Sequence, residues 1–233
     1  MAMANSNDPE FYSLKQTEAY FDRFGWLMSI TNRLDRPVYR RLLTLGRFQD
    51  CRHVLEIGGG RGVFAATMLG SPVCAQTEMV VTELSSVLRR QLHRRLARFG
   101  QRAHVISDPG PNYKFADGTF DRIVACFVFE MMEPPTLVEY ILASHRMLRE
   151  GGLVCLLSVT DGTDAPSRAL MAIGKRLAKV SPWLTLGARY RDLEPFFDPE
   201  QWTIARCQTV THMGCSTRIT IAQKLTVSIQ RDP

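Results

Sequence analysis

The sequence predicts a doubly wound α/β fold, a parallel sheet covered by helices on both faces. Short apolar, strand-like runs alternate with segments of helical period from His53 onward. A glycine-rich turn, Gly58-Gly59-Gly60-Arg61-Gly62, joins the first of those runs directly to a helical one. The alternation then ends in two successive strand-like runs near the C-terminus.

Each element has its own signal. Leu14, Phe21, Phe24 and Met28, then Val38, Leu42 and Leu45, recur at helical spacing and predict two helices before the first strand. Asp35 and Pro37 suit the first turn of the second helix, and Gly46 suits its end. His53 to Ile57 reads as a strand and Val63 to Leu69 as the helix after the glycine turn. There follow strand Glu78 to Thr82, helix Ser85 to Phe99, strands Ala103 to Ser107 and Arg122 to Val128, helix Thr136 to Arg149 and strand Leu153 to Val159. Pro134 and Pro135 open the helix before Thr136, and Gly151-Gly152 stop it. After Asp161 the pattern changes to an amphipathic helix, Arg168 to Val180, and a Pro- and aromatic-rich stretch, so Asp161 to Gln201 reads as an insertion. Trp202 to Thr211 and Thr217 to Leu225 read as an antiparallel strand pair around His212-Met213-Gly214-Cys215.

Composition sets the class. The chain has 233 residues, is 45% hydrophobic and 22% charged, and carries a formal net charge of +6, which fits one ordinary domain and excludes disordered and collagen-like classes. Its longest apolar run, Ile123 to Phe129, falls far short of the roughly 20 residues of a membrane-spanning helix, and Met1 to Pro9 is polar, so the expectation is a cytoplasmic protein. The six cysteines form no C-x-x-C pair and the five histidines are scattered; the expectation is reduced, buried thiols and no metal. The basic balance permits an anionic partner and equally suits a plain enzyme.

The segment Val54 to Gly62, V-L-E-I-G-G-G-R-G, carries the chemistry. Gly58, Gly60 and Gly62 let the chain turn at the carboxyl end of a strand and let a ligand approach the backbone at the start of the next helix. Glu83 closes the second strand, where a carboxylate accepts hydrogen bonds from both hydroxyls of a ribose. A dinucleotide fingerprint needs a third glycine where this chain has Val63, so an NAD(P)-dependent oxidoreductase is the second reading. Glu56, two residues before the first glycine, fits S-adenosylmethionine better, because its carboxylate complements an amino group and a sulfonium.

On these residues, together with Asp117-Gly118-Thr119-Phe120-Asp121-Arg122-Ile123-Val124 and Arg146-Met147-Leu148-Arg149-Glu150-Gly151-Gly152, the chain resembles the class I S-adenosylmethionine-dependent methyltransferases. Within them it is similar to the ubiquinone/menaquinone-biosynthesis C-methyltransferase type, over Tyr20 to Lys224. The resemblance implies a Rossmann-like, seven-stranded sheet whose last strand is antiparallel, and turnover of S-adenosylmethionine to S-adenosylhomocysteine. It implies that Asp108 holds the adenine amino group and that Phe127 lies beside the cofactor; Leu84 and Pro109 are counted with them. It also implies a division of the single domain, 1–233, into an N-terminal helical lid (1–50), a cofactor-binding core (51–160), a substrate-capping insertion (161–201) and the strand pair (202–225). Two stretches depart from the family pattern: Pro109-Gly110-Pro111 with Tyr113-Lys114-Phe115, and Cys126-Phe127-Val128-Phe129-Glu130. The second lacks both the Asn/Asp-Pro-Pro-Tyr and the Gly-Leu-Arg-Asn-like runs, so no motif assigns the substrate.

Methyl transfer is an in-line displacement in which alignment carries much of the rate, and a base is optional. An acceptor over the ends of the fourth and fifth strands would meet Glu130 and Glu133 on one wall and Ser158, Thr160 and Asp161 on the other. Glu130 and Asp161 are the candidate bases, and His212 is a third. Tyr20 and Trp26 are the candidate substrate residues of the lid, against ordinary packing for Phe21 and Phe24. His145 shares an apolar helix face with Leu137, Ile141 and Leu148 and reads as a core or half-buried residue. The helix Arg168 to Val180, with Leu170, Ile173, Leu177 and Val180 beside Lys175, Arg176 and Lys179, packs on the domain, caps an apolar substrate or rests on an anionic membrane. Arg89, Arg90, Arg94, Arg95 and Arg98 read as a solvated face; no aromatics are interleaved with them, so a nucleic-acid partner is not expected. The reading is methyl transfer to a small apolar or aromatic molecule, such as a secondary metabolite, quinone or lipid-like acceptor. A non-catalytic S-adenosylmethionine-binding module is the third alternative, and acceptor atom and oligomeric state stay open.

Overall fold

The computed structural model describes residues 13–25, 35–180 and 190–226. The helices are α1 (Leu14–Phe24), α2 (Arg36–Leu45), α3 (Val63–Leu69), α4 (Ser86–Leu96), α5 (Pro134–Met147) and α6 (Ala165–Val180). The strands are β1 (His53–Ile57), β2 (Glu78–Glu83), β3 (Ala103–Ser107), β4 (Phe120–Cys126), β5 (Leu148–Val159), β6 (Trp202–His212) and β7 (Cys215–Lys224). The seven form one sheet in the order β3-β2-β1-β4-β5-β7-β6. β1 to β5 pair in parallel, and β7 runs antiparallel to both β5 and β6. The doubly wound sheet with an antiparallel last strand is thus the fold, and its strand order reverses between β1 and β4.

A core lies on each face of the sheet. Along β1, Val54 faces the core built with α2, α3 and α4, while Leu55 and Ile57 face the core of α5 and the β6 end. Such strands are buried on both sides and need apolar residues throughout. Glu56, 2% exposed, breaks that rule.

Local chemistry explains where elements begin and end. Ser13 and Gln16 form a reciprocal capping box at the start of α1. Asp164 and Ser167 exchange backbone-to-side-chain bonds of 2.8 and 3.1 Å, which starts α6 earlier than the expected Arg168. β4 ends at Cys126 instead of Val128 because Phe127 has φ 60°, outside the extended region. The helix expected to reach Phe99 stops at Leu96 and continues as a 3-10 turn to Arg102. β6 and β7 run longer than expected and close on a two-residue turn, Met213-Gly214, both with positive φ (49° and 80°), as a tight hairpin requires.

Three expectations are corrected by packing. Cys207 and Cys215 are exposed, whereas Cys51, Cys74 and Cys155 are the buried thiols; burial pushes Cys51 and Cys155 up to about 12. Leu170, Ile173 and Leu177 of α6 point outward, while Met171 and Ser167 take the buried face. Arg89 is not merely solvated, because its Nη1 donates to the carbonyls of Glu83 (2.8 Å) and Leu84 (3.2 Å) and to Ser107 Oγ (3.0 Å). His145 is half-buried as expected, edge-on to Trp202 with centroids 5.2 Å apart.

The amino-terminal edge of the sheet is held by two adjacent side chains of β4. Asp121, 5% exposed, accepts from the Arg52 and His53 amides (2.6 and 2.8 Å) and pairs with Arg149 (2.8 Å). The buried Arg122 guanidinium donates to the carbonyls of Gly46 (2.6 Å) and Arg47 (3.2 Å) and so closes the end of α2. Asp121→Ala leaves two backbone N–H groups without their acceptor and is expected to cost about 3 kcal/mol in urea unfolding. A loss below about 1 kcal/mol would show that water replaces the carboxylate there.

Candidate active site

At the reversal of strand order, between the carboxyl ends of β1 and β4, lies a cavity of about 340 Å³. Ligands bind at such switch points, and this volume is within the ordinary range for small-molecule pockets. Its floor is the loop after β1. Gly58, Gly60 and Gly62 have φ of 68°, 54° and 73°, so the chain turns back within five residues. The Gly59 amide bonds to the Thr82 carbonyl (2.8 Å), and the Gly62 amide to the Gly59 carbonyl (2.8 Å).

Glu83 bolts this loop in place. Its carboxylate accepts from the Gly60 amide (2.7 Å) and the Ser85 amide (2.8 Å), tying β1's loop to the start of α4. Burial drives Glu83 up to about 7 even though those bonds pull it down. Each oxygen keeps a second lone pair for a ligand hydroxyl. Ser85 caps α4 by accepting from the Leu88 amide (3.1 Å) and donates to Asp22 of α1 (2.6 Å). Asp22 also accepts from the Val87 amide (3.2 Å), which docks α1 beside the cavity so that Leu14, Thr17 and Phe21 line it.

Glu56 lines the cavity with its Oε2 buried and without a hydrogen-bond partner among the described residues. Burial, then the Glu83 charge, raises its pKa well above the usual carboxylate range. Asp108 lies at the same cavity but is not free. It accepts from the Gly110 amide (2.9 Å), the Tyr113 and Tyr140 hydroxyls (3.1 Å each) and Thr82 Oγ1 (2.9 Å). Burial raises its pKa against those four bonds. Leu84 and Phe127 also line the cavity.

Other expected residues lie elsewhere. Gly62 does not line the cavity: a Cβ there would meet Leu92 Cδ1 at 2.6 Å, so this glycine serves the packing of α3 on α4. Pro109 is exposed and off the cavity. Glu130 is fully enclosed and off the cavity lining, accepting a long 3.4 Å bond from the Val159 amide, and burial pushes it up to about 8. Asp161 is exposed and paired with Lys175. His212 ends β6 opposite Cys215 and does not reach the cavity wall. Tyr20 is buried against Phe21 and Phe24 and does not itself line the cavity. Trp26 lies outside the described residues. No group of His, Cys, Asp and Glu among the described residues could hold a metal ion.

One part of the cavity lining is not announced by the sequence. Asp35, the N-terminal flank of α2, receives a hydrogen bond from Tyr39, and burial moves it up to about 6. It shares the wall with Tyr39, Met171, Tyr190 and Cys215. A carboxylate four residues before a tyrosine at a helix start reads as a cap, so only the tertiary fold reveals its place. Gly59 was also missed; a Cβ there would lie 2.2 Å from Val81 Cγ1 and 3.6 Å from Glu56 Oε2.

Four cavity-side or enclosed acids, Glu56, Glu83, Glu130 and Asp35, therefore hold protons in the folded chain at pH values where the unfolded chain has released them. By linkage, stability falls as pH rises from above the unfolded carboxylate range, about 4, through 6, 7 and 8. The urea midpoint of the ligand-free protein is expected to be higher at about pH 5.5 than at about pH 8, and Glu56→Gln to shrink that difference. A midpoint that rises over this interval would contradict the buried-acid picture.

Comparison with known proteins agrees with this geometry. Residues 54–152 match a family described as a methyltransferase domain. Among solved structures, the N-methyltransferase NodS from Bradyrhizobium japonicum WM9 in complex with S-adenosyl-L-homocysteine is similar at TM-score 0.60 and 17% identity, covering 93% of this chain and 99% of that one. An O-methyltransferase family protein from Burkholderia thailandensis gives TM-score 0.62 and 17% identity over 84% of this chain and 58% of that one. The [4+2]-cyclase SpnF gives TM-score 0.62 at 14% identity, covering 82% and 80%. No curated protein matches the chain in sequence at a significant level. The matched segment runs from the first strand of the sheet through the cavity loop to the glycines of β5, and the solved structures share the fold around it.

Proposed function

We propose that the protein is an S-adenosylmethionine-dependent methyltransferase whose acceptor is a small apolar or aromatic molecule, quinone-like and lipid-like acceptors included. The observation that carries this is Glu56, a buried carboxylate with an unpartnered oxygen on a cavity that also holds Glu83 and Asp108. An uncompensated buried charge is costly, and a cationic ligand supplies the missing partner. When bound, S-adenosylmethionine supplies an electrophilic methyl group on a sulfonium and leaves as neutral S-adenosylhomocysteine.

The chain's own residues divide the work. Glu56 takes the amino group of the cofactor, Glu83 offers its remaining lone pairs to the ribose, and the Asp108, Tyr113 and Tyr140 network forms the adenine side. Phe127, held at positive φ where it lines the cavity, walls the transfer region. A bulky residue in that conformation stores about 1–3 kcal/mol of strain, a cost characteristic of sites where position matters more than stability. In the same cavity, Met131, Met171 and Tyr190 give an apolar and aromatic surface for the acceptor. Asp35, bonded to Tyr39 and shifted up to about 6, is the cavity carboxylate placed to orient the acceptor or take its proton. Helix α1 and the 161–201 segment serve as lid and cap.

Calorimetric titration of the purified chain with S-adenosylmethionine, S-adenosylhomocysteine and NADH tests the reading. Saturable binding of the two sulfur ligands is expected, weakened at least about tenfold by Glu56→Gln, with no NADH binding. Binding of S-adenosylmethionine near pH 7 is also expected to release protons, because a cation beside Glu56 and Glu83 lowers their raised pKa values. A folded protein that binds NADH and neither sulfur ligand would overturn the assignment.

A further inference from the structure

A second concavity, about 1270 Å³, is bounded by α2, α3 and α4 and has no place in the methyl-transfer reading. Arginines converge on it from three directions: Arg36 and Arg40 from α2, Arg61 from the glycine loop, and Arg94, Arg95 and Arg98 from α4 and the turn after it. No carboxylate lines it. Among the described residues, Arg36, Arg40, Arg94, Arg95 and Arg98 make no ion pair. The charges are mutually close. Arg95 is pulled below the usual arginine range by burial and then by Arg61, Arg36 and Arg98.

This arrangement opposes folding. Arg36 and Arg40 are four residues apart on α2, the spacing at which like charges destabilise a helix. Gln91 lines the same concavity, and its buried Oε1 has no partner among the described residues. Thr67 and Ser71 add hydroxyls to the wall.

We propose that this concavity binds a small molecule carrying two or more adjacent phosphate groups. Guanidinium groups bind phosphate oxygens in a bidentate fork, and several forks converging from three elements match a compact polyanion. The lining discriminates against a nucleic-acid strand, because it has no aromatic side chain on which a base could stack. Arg61 and Val63 line both concavities, so an anion here sits against the loop that carries the first site.

The probe is inorganic tripolyphosphate, titrated calorimetrically into the purified full chain at about 150 mM salt, where weak surface attraction is screened. One-to-one saturable binding is expected, tighter than that of inorganic monophosphate. It should weaken at least about tenfold in the double variant Arg94→Gln/Arg98→Gln and again in Arg40→Gln, which removes a charge from the opposite wall. Thermal melts of both variants report their folding, and their S-adenosylmethionine titrations should match the parent, whatever that parent result is. Absence of saturable tripolyphosphate binding, or binding indifferent to both variants, overturns the proposal. Binding of a single-stranded RNA oligonucleotide that tripolyphosphate does not displace also overturns it and makes the arginine face a nucleic-acid surface.

Discussion

The site depends on one carboxylate at the end of β2. Glu83 accepts N–H groups from two segments, the Gly60 turn after β1 and the Ser85 cap of α4. Ser85 in turn reaches Asp22, so α1 is fixed by the same chain of bonds. Three segments far apart in sequence are therefore positioned by a single relay of hydrogen bonds. That relay lies at the switch point, where no strand pairing continues and side chains must do what the backbone ladder does elsewhere.

Around this relay the cavity gathers several carboxyl groups, Glu56, Glu83 and Asp108 among them. The Glu83 charge adds to burial in raising Glu56, and the Asp108 charge acts the same way on Glu83. Asp108 shows how the fold keeps such a group in place: three hydroxyls and an amide surround it, two of the hydroxyls on tyrosines from separate segments. Glu56 has no such support, and the contrast separates a carboxylate that organises a wall from one left open for a ligand.

Much of this was legible in the sequence, and the failures have physical causes. The glycine turn, Glu56, Glu83 and the C-terminal hairpin were legible because each is encoded within a few residues. Glu130 was misplaced because β4 was read two residues too long. Phe127 turns the chain out of the strand at positive φ, and Glu130 after it is enclosed. Gly62 was read as a ligand glycine, yet its missing side chain makes room for Leu92, a contact between helices that no local pattern announces. Asp161 pairs with Lys175 of α6, and Asp35 reaches the cavity wall through tertiary contact alone. The outward Leu170, Ile173 and Leu177 stripe likewise cannot be oriented from periodicity, which gives a face but not its direction.

The two ends of the same strands are built on opposite terms. At the amino end, Asp121 and Arg122 are buried charges with backbone partners on adjoining segments. At the carboxyl end, the strands finish in positive-φ residues and under-satisfied acids. The sheet is consequently anchored at one edge and compliant at the other, a cantilever whose free tips carry the cavity. Opening motions that admit a ligand can therefore be confined to the last residue or two of each strand and the loops beyond, leaving the pairing register behind them intact.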